Sequence, residues 1–244
     1  MIATLLGAAA LAAAPQASLV ASPARVQLDG AGRQVVTVSN HARTAIVVEA
    51  ARAGFTLDLR GRPHVVAAPR GRWLAITPHR VRIAAGRSAR VTVTTRVLRG
   101  ASPGDHTALL LLSTRPQPRA GLAVRLRLGV VVVLRVPGRV VRRLEPTRVT
   151  VRRAGAVRRL ALTLANRGNV AETLDRGRLT VAVRRGKRVL ARFRPPPREL
   201  LPHAQGLVDL PCPSRLRGRL SVDVLVRAAT RPGPVLRRTF RIRL

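Results

Sequence analysis

Tyrosine is absent from the 244 residues, and only Phe55, Trp73, Phe193 and Phe240 are aromatic. Such a chain carries no stacking platform for single-stranded nucleic acid, which needs several aromatic side chains along one groove. Its core must be Val, Leu, Ile and Ala, a mixture that favours strands when Val is abundant and spaced by two. Cys212 is the only cysteine, which excludes an internal disulfide and a cysteine-based zinc site. Acidic residues are few, 10 against 46 basic ones, for a net charge of +36. Lys187 is the only lysine, so arginine supplies nearly all of that charge. With abundant Ala, Gly, Pro and Val beside it, the arginine excess has the pattern of a GC-rich codon bias.

Groups for catalysis are equally scarce. The five histidines, His41, His64, His79, His106 and His203, fall in or beside expected loops. None stands at metal-ligand spacing from another His, Cys or carboxylate. Asp105 and His106 are neighbours, and neighbours on a strand point to opposite faces, so they cannot orient one another. Glu172 and Asp175 read as turn or surface residues. There is no G-x-S-x-G, P-loop or G-x-G-x-x-G. Function has to be argued from a site, and these residues assemble none for an enzyme, a cofactor or a metal.

What the chain does have is strand pattern. Apolar residues make up 46% of it, too many for a disordered chain. The stretch Gly121–Pro137, GLAVRLRLGVVVVLRVP, opens as strict alternation and closes as a continuous apolar run, Val130 to Leu134. Alternation marks a strand with one wet face, and an unbroken β-branched run marks one covered on both faces. One long strand over Leu122–Val136 is therefore expected, half-exposed at first and buried where it meets a second domain. Pro137-Gly138 ends it, because proline has no N–H for the ladder.

Shorter runs recur before it at Ala24–Leu28, Gln34–Ser39, Ala45–Ala50, Phe55–Leu59, Trp73–Ile76, Arg80–Ile83, Ala89–Thr95 and Thr107–Ser113. After it come Arg148–Val151, Arg159–Leu164, Leu179–Val183, Val189–Phe193, Gly206–Leu210, Leu220–Val226 and Val235–Leu244. Turns written in Gly, Pro, Asp and Asn separate them, and no helical stripe is sustained anywhere. The expectation is an all-β protein of two tandem immunoglobulin-like β-sandwich domains. They span residues 18–137 and 147–244, with a linker over 138–146. Residues 1–17 read as a signal peptide or an uncleaved anchor. Ile2–Ala14 has the length of a signal h-region rather than a span of ~20 residues, and Ala14 or Ala17 offers a cleavage position.

From Ser22 to Gly138 the order of motifs resembles the first domain of periplasmic pilus-assembly chaperones. It is also similar to the immunoglobulin-like domain of WxL-interacting, peptidoglycan-binding surface proteins. Val36-Thr37-Val38-Ser39-Asn40 matches the second strand. Pro78 with Ile83-Ala84-Ala85-Gly86-Arg87-Ser88-Ala89-Arg90-Val91 matches a P…I-x-x-G-x-S-x-x-V text. Pro103–Leu110 matches the turn and strand before the last hairpin, and Gly121–Pro137 the final strand. The second half resembles the family only as another sandwich, and its Asn166-Arg167-Gly168-Asn169 reads as a turn.

The resemblance implies a last strand lent to an incomplete subunit by edge pairing, and a basic pair in the cleft that anchors the subunit's carboxylate. Arg25 stands where the family's cleft arginine would be. The cleft lysine has no counterpart, since Val131, Val132 and Val133 fill that stretch. The outward residues of the donor half are Arg125 and Arg127, or else Val124, Leu126 and Leu128, depending on register. The expected partner-binding residues are therefore Arg25, Arg125 and Arg127. The expected partner is an envelope protein or an anionic cell-wall polymer, met outside the cytoplasm. A polyanion or nucleic-acid binding protein is the alternative reading of +36; arginines spread over both halves and the missing aromatics argue against nucleic acid.

Overall fold

The computed structural model describes residues 19–67, 72–115, 117–119, 122–154, 157–174, 177–214, 216–229 and 235–244. The leader expected over residues 1–17 lies outside them, as do Gly121 and Asp175. Every regular element among the described residues is a strand.

The first half contains β1 (Leu19–Ser22), β2 (Arg25–Asp29), β3 (Gly32–Asn40), β4 (Ile46–Leu57), β5 (Pro63–Val66), β6 (Leu74–Thr77), β7 (Arg80–Ile83), β8 (Ser88–Thr95), β9 (Gly104–Thr114), β10 (Gln117–Arg119), β11 (Leu122–Val124) and β12 (Arg127–Val136). One sheet runs β1-β3-β8-β6, and the facing one β2-β12-β9-β4-β5, with β7 also on β4. The chain enters in the first sheet as β1 and crosses to the second as β2, which lies parallel to β12. Val36, Val38, Val91, Val93, Leu110, Leu112, Val130 and Val132 fill the space between the sheets, as period-2 alternation requires.

The second half contains β13 (Leu144–Ala154), β14 (Val157–Asn166), β15 (Glu172–Leu174), β16 (Leu179–Arg185), β17 (Arg188–Phe193), β18 (Arg198–Leu200), β19 (Gln205–Pro211), β20 (Arg219–Arg227) and β21 (Val235–Arg243). Here β13-β14-β19 faces β17-β16-β20-β21 across a separate core that includes Leu160, Leu162, Leu164, Val181, Val222 and Val224. Cys212 packs against that core, and burial pushes its thiol pKa up.

Some elements differ from expectation. The run expected as one strand from Leu122 is broken: β11 pairs with β10 in its own hairpin, and β12 begins at Arg127 after Arg125 and Leu126. There Thr114 Oγ1 accepts the Leu126 N–H, and Leu126 C=O accepts the Thr114 N–H, which holds the break in place. The runs Ala45–Ala50 and Phe55–Leu59 are parts of one twelve-residue strand, β4. Strand β13 starts at Leu144, within the stretch read as linker. Four short strands, β1, β5, β15 and β18, are too brief to show a period, and composition gives no sign of them.

Candidate functional site

The continuous apolar run of β12 is buried on both faces, and the two faces do different things. Val130, Val132, Leu134 and Val136 point into the first core. Val133 is fully buried on the opposite face, and Val131 beside it lines a cleft between the two halves. The leucine run of β9 is divided in the same way. Leu110 and Leu112 enter the core, while Leu109 and Leu111 join Val131 and Gly129 on the outward face. Phe55 and Leu57 of β4 and Val65 of β5 extend this apolar wall. Across from it stand Pro196, Pro197, Leu201 and Val208 of the second half. The enclosed space is about 670 Å³, with charged side chains at its rim, among them Arg127, Arg198 and Glu199.

The edge of β12 beside this cleft is half open. Strand β2 covers β12 only from Val131 to Arg135, and the first bond of that pairing is Val131 N–H to Ala24 C=O at 3.0 Å. Main-chain groups alternate sides along a strand. Arg127 and Gly129 therefore turn their N–H and C=O groups to the same side as Val131, where no strand among the described residues meets them. Arg127–Val130 is thus an unfilled strand position bordered by apolar surface.

Two clusters fix the halves against each other around this cleft. Asp105, whose side chain is 1% exposed, takes both Arg135 Nε at 2.7 Å and Arg135 Nη2 at 3.0 Å. The same carboxylate accepts the Ala171 N–H of the second half at 2.8 Å. The hydrogen bond to Asp105 raises the pKa of Arg135, so the guanidinium keeps its charge. Beside it, Asn169 Nδ2 donates to Pro103 C=O and Arg139 C=O, both at 2.9 Å. Gly104, at φ 119°, passes so close to Asn169 that a Cβ would overlap the Asn169 carbonyl. On the other side of the cleft Arg198 donates Nη2 to Leu59 C=O at 2.7 Å, and Nη1 to Leu207 C=O. Burial lowers the pKa of Arg198.

The three arginines singled out from sequence fall in different settings. Arg25, on β2, donates Nη1 to both oxygens of Glu199, at 2.7 and 2.8 Å, across the two halves. Arg127 lines the cleft. Arg125 sits in the break before β12 with its Nη2 4.0 Å from Glu49 Oε2, and points outward, because Leu126 and Leu128 turn toward the core. Register thus assigns the outward positions to arginine. Glu199, Arg198, Asp105 and the Phe55–Val65 wall were not foreseen. The doubled burial of Leu109–Leu112 signalled a second covered face on β9, whereas the polar partners leave no local trace.

Fold and cleft together define a two-domain immunoglobulin-like protein with an unfilled strand position beside an apolar cleft. No protein-family model and no curated protein matches the sequence. Solved structures do. A chain of the chaperone–tip adhesin complex of CFA/I fimbriae biogenesis superposes with a TM-score of 0.56 at 12% identity, over 91% of this chain and 98% of that one. The class 5 fimbriae chaperone CfaA gives 0.51 at 11% identity over 91% and 98%. The Salmonella enterica complex of SafA pilin with the SafB chaperone gives 0.50 at 12% over 95% and 99%. At such identity the likeness is one of fold: the chain has the fold of the fimbrial chaperones. It also extends the resemblance seen in residues 22–138 to both halves.

Proposed function

We propose that this chain is a non-enzymatic assembly module of the cell envelope, working outside the cytoplasm, that holds a protein partner by strand addition at β12. The observation that carries this reading is the open edge at Arg127–Val130 lying beside an apolar cleft. A partner strand gains main-chain hydrogen bonds from Arg127 and Gly129 and sets alternate apolar side chains against Val131, Leu109 and Phe55. The fold likeness supports it, since matched structures include a chaperone with a pilin and a chaperone with a tip adhesin. The working unit is the pair of domains, residues 18–137 and 147–244, joined by 138–146. Arg125 and Arg127 contribute by charge to an acidic flank of the partner strand, and Arg25 is the cation that a partner carboxylate takes over from Glu199.

Photo-crosslinking in the native host tests the reading. A photoreactive residue replacing Arg127 should trap an envelope protein, and one replacing Thr37 on the far sheet should not. The double variant Arg125→Ser/Arg127→Ser should weaken capture with the fold intact. Equal trapping from positions 127 and 37, or a cytoplasmic, nucleoid-bound protein on fractionation, overturns the proposal.

A further inference from the structure

The arginine excess is not spread evenly, and its concentration marks a second surface far from the strand edge in the topology. Each domain has a four-stranded sheet whose inner face covers a core and whose outer face is not packed on the other sheet. On the first, β1-β3-β8-β6, register puts Ser22, Thr37, Ser39, Thr77, Thr92 and Thr94 outward, with arginine only at Arg33 and Arg90. On the second, β17-β16-β20-β21, the outward positions hold Arg184, Arg192, Arg219, Arg237, Arg241 and Arg243. A compositional drift toward arginine would have loaded both faces alike.

The second face is also poorly neutralised. Its one outward carboxylate, Asp223, is buried and already taken by Arg184 Nε at 2.9 Å, Arg237 Nη2 at 2.8 Å and Thr239 Oγ1 at 2.8 Å. Arg192, Arg194, Arg219, Arg241 and Arg243 make no side-chain hydrogen bond or ion pair among the described residues. Arg219 and Arg243 even stand directly opposite in the register, an arrangement of like charges that destabilises a sheet. Folding gains nothing from that pairing, whereas an anion bridging the two guanidiniums would.

We propose that this outer face docks on a bilayer of anionic phospholipid. The charge lies in two dimensions over four strands ~4.8 Å apart, with alternate residues ~7 Å apart along each, and a plane of phosphates complements a plane of guanidiniums. A linear polyanion is matched by a continuous groove; here a trough of about 420 Å³ lies at one end of the face, between Arg192 and Arg194 on one wall and Arg227 and Arg237 on the other. Its floor of Thr180, Ala182 and Leu225 admits a single headgroup. No aromatic side chain faces outward to stack a base, because Phe193 and Phe240 pack against the core. The proposal is independent of strand addition at β12.

The test is co-sedimentation with vesicles of phosphatidylglycerol and phosphatidylcholine in equal parts, and with phosphatidylcholine alone. The face variant Arg192→Ser/Arg194→Ser/Arg241→Ser/Arg243→Ser is compared with a control of equal charge loss, Arg33→Ser/Arg82→Ser/Arg87→Ser/Arg90→Ser. The face variant should lose on the order of 100- to 1,000-fold in affinity for the anionic vesicles, and the control less than about tenfold. Relief of like-charge repulsion predicts that the face variant melts no lower than the parent chain. Equal losses in the two variants, or undiminished binding to phosphatidylcholine alone, overturn the proposal. A selective loss of affinity for a DNA duplex without a selective loss for vesicles also overturns it and assigns the face to a phosphodiester polymer.

Discussion

Asn40 and Asn166 close the same corner in the two domains, and one of the corners has been put to a second use. Each ends a core strand, β3 or β14, and each is 1% exposed. Asn40 Nδ2 donates to Thr44, Ile83 and Ala84 carbonyls at 2.9–3.1 Å, and Oδ1 accepts the Ala42 N–H at 2.9 Å. Asn166 Nδ2 donates to Val170, Leu200 and Leu201 carbonyls at 2.8–3.2 Å, and Oδ1 accepts the Gly168 N–H at 2.9 Å. One buried amide thus stands in for a missing strand partner at two equivalent places. In the first domain the loop it holds, with His41 and Arg43, is exposed. In the second the loop holds Gly168, packed so tightly on Val141 that a Cβ would overlap its carbonyl, and Asn169, which reaches Pro103 of the first domain. The same local solution caps one sandwich and joins the other to its neighbour.

If the corners are energetically equivalent, removing either amide should cost about the same in its own domain. Asn166→Ala and Asn40→Ala each strand three buried or half-buried carbonyls and an N–H, a loss on the order of 3–4 kcal/mol. Trp73 is the only tryptophan and is buried in the first core, so its fluorescence reports that domain, whereas far-UV circular dichroism reports both. Asn40→Ala should move the fluorescence transition in urea, and Asn166→Ala should move mainly the dichroism transition. A fluorescence shift of equal size in Asn166→Ala would show that the joint couples the two domains into one unfolding unit.

The next largest effect is expected at Asp105, which contributes to the joint from the other side. Asp105→Ala leaves Arg135, half-buried, without its carboxylate and the Ala171 N–H without an acceptor. Breaking such a pair costs about 3 kcal/mol. Fluorescence and dichroism transitions should lie further apart in this variant than in the parent chain; an unchanged separation would mean that the contacts of Asn169, Arg198 and Arg25 hold the domains without Asp105.

The sandwich plan was legible because it rests on period-2 alternation and on turn residues, both of which are local. Val130–Leu134 announced two covered faces before any partner was known, whereas Leu109–Leu112, an equally unbroken run, was read only as part of the strand Thr107–Ser113. Asn40 was visible as a strand end, but its three acceptors come from residues as distant as Ile83 and Ala84, which no spacing rule connects to it. The same limit applies at the cleft. Arg25 was readable by position on the first strand, whereas Glu199, 174 residues further along, becomes its partner only through the joint. The uneven placement of arginine was hidden for a different reason: outward and inward positions separate only once each strand's register is fixed.

The two outer sheets also predict different behaviour in acid. Burial raises the pKa of Asp223, but hydrogen bonds from Arg237 and Thr239 and the charges of Arg237 and Arg184 outweigh it and hold the carboxyl below its usual range. A group depressed in the folded state contributes stability above its unfolded pKa of ~3.9 and loses it as the pH falls through the folded value. The second domain's sheet therefore weakens below about pH 4, where the hydroxyl-rich sheet of the first domain has no outward carboxylate to protonate. Asp223→Asn should flatten the fall of the dichroism midpoint between about pH 5 and pH 3 while leaving the Trp73 transition unchanged. An unchanged slope in that variant would move the acid sensitivity to other carboxylates.

The smallest effect on stability, and the sharpest on function, is expected where the domains meet at Arg25 and Glu199. Their side chains are 36% and 32% exposed, so water screens the pair and its removal costs no more than about 1 kcal/mol. Its interest lies in chemistry: a carboxylate of this chain occupies the cation proposed as the anchor for a partner's carboxylate. If Arg25 is a partner anchor, Glu199 competes for it, and Glu199→Gln should strengthen partner capture severalfold while Arg25→Ala weakens it. If the pair is only a strut between domains, both variants weaken capture alike, because both loosen the cleft. Opposite signs from two changes to one ion pair cannot arise from a structural role, so the comparison separates anchor from strut even though neither variant disturbs the fold.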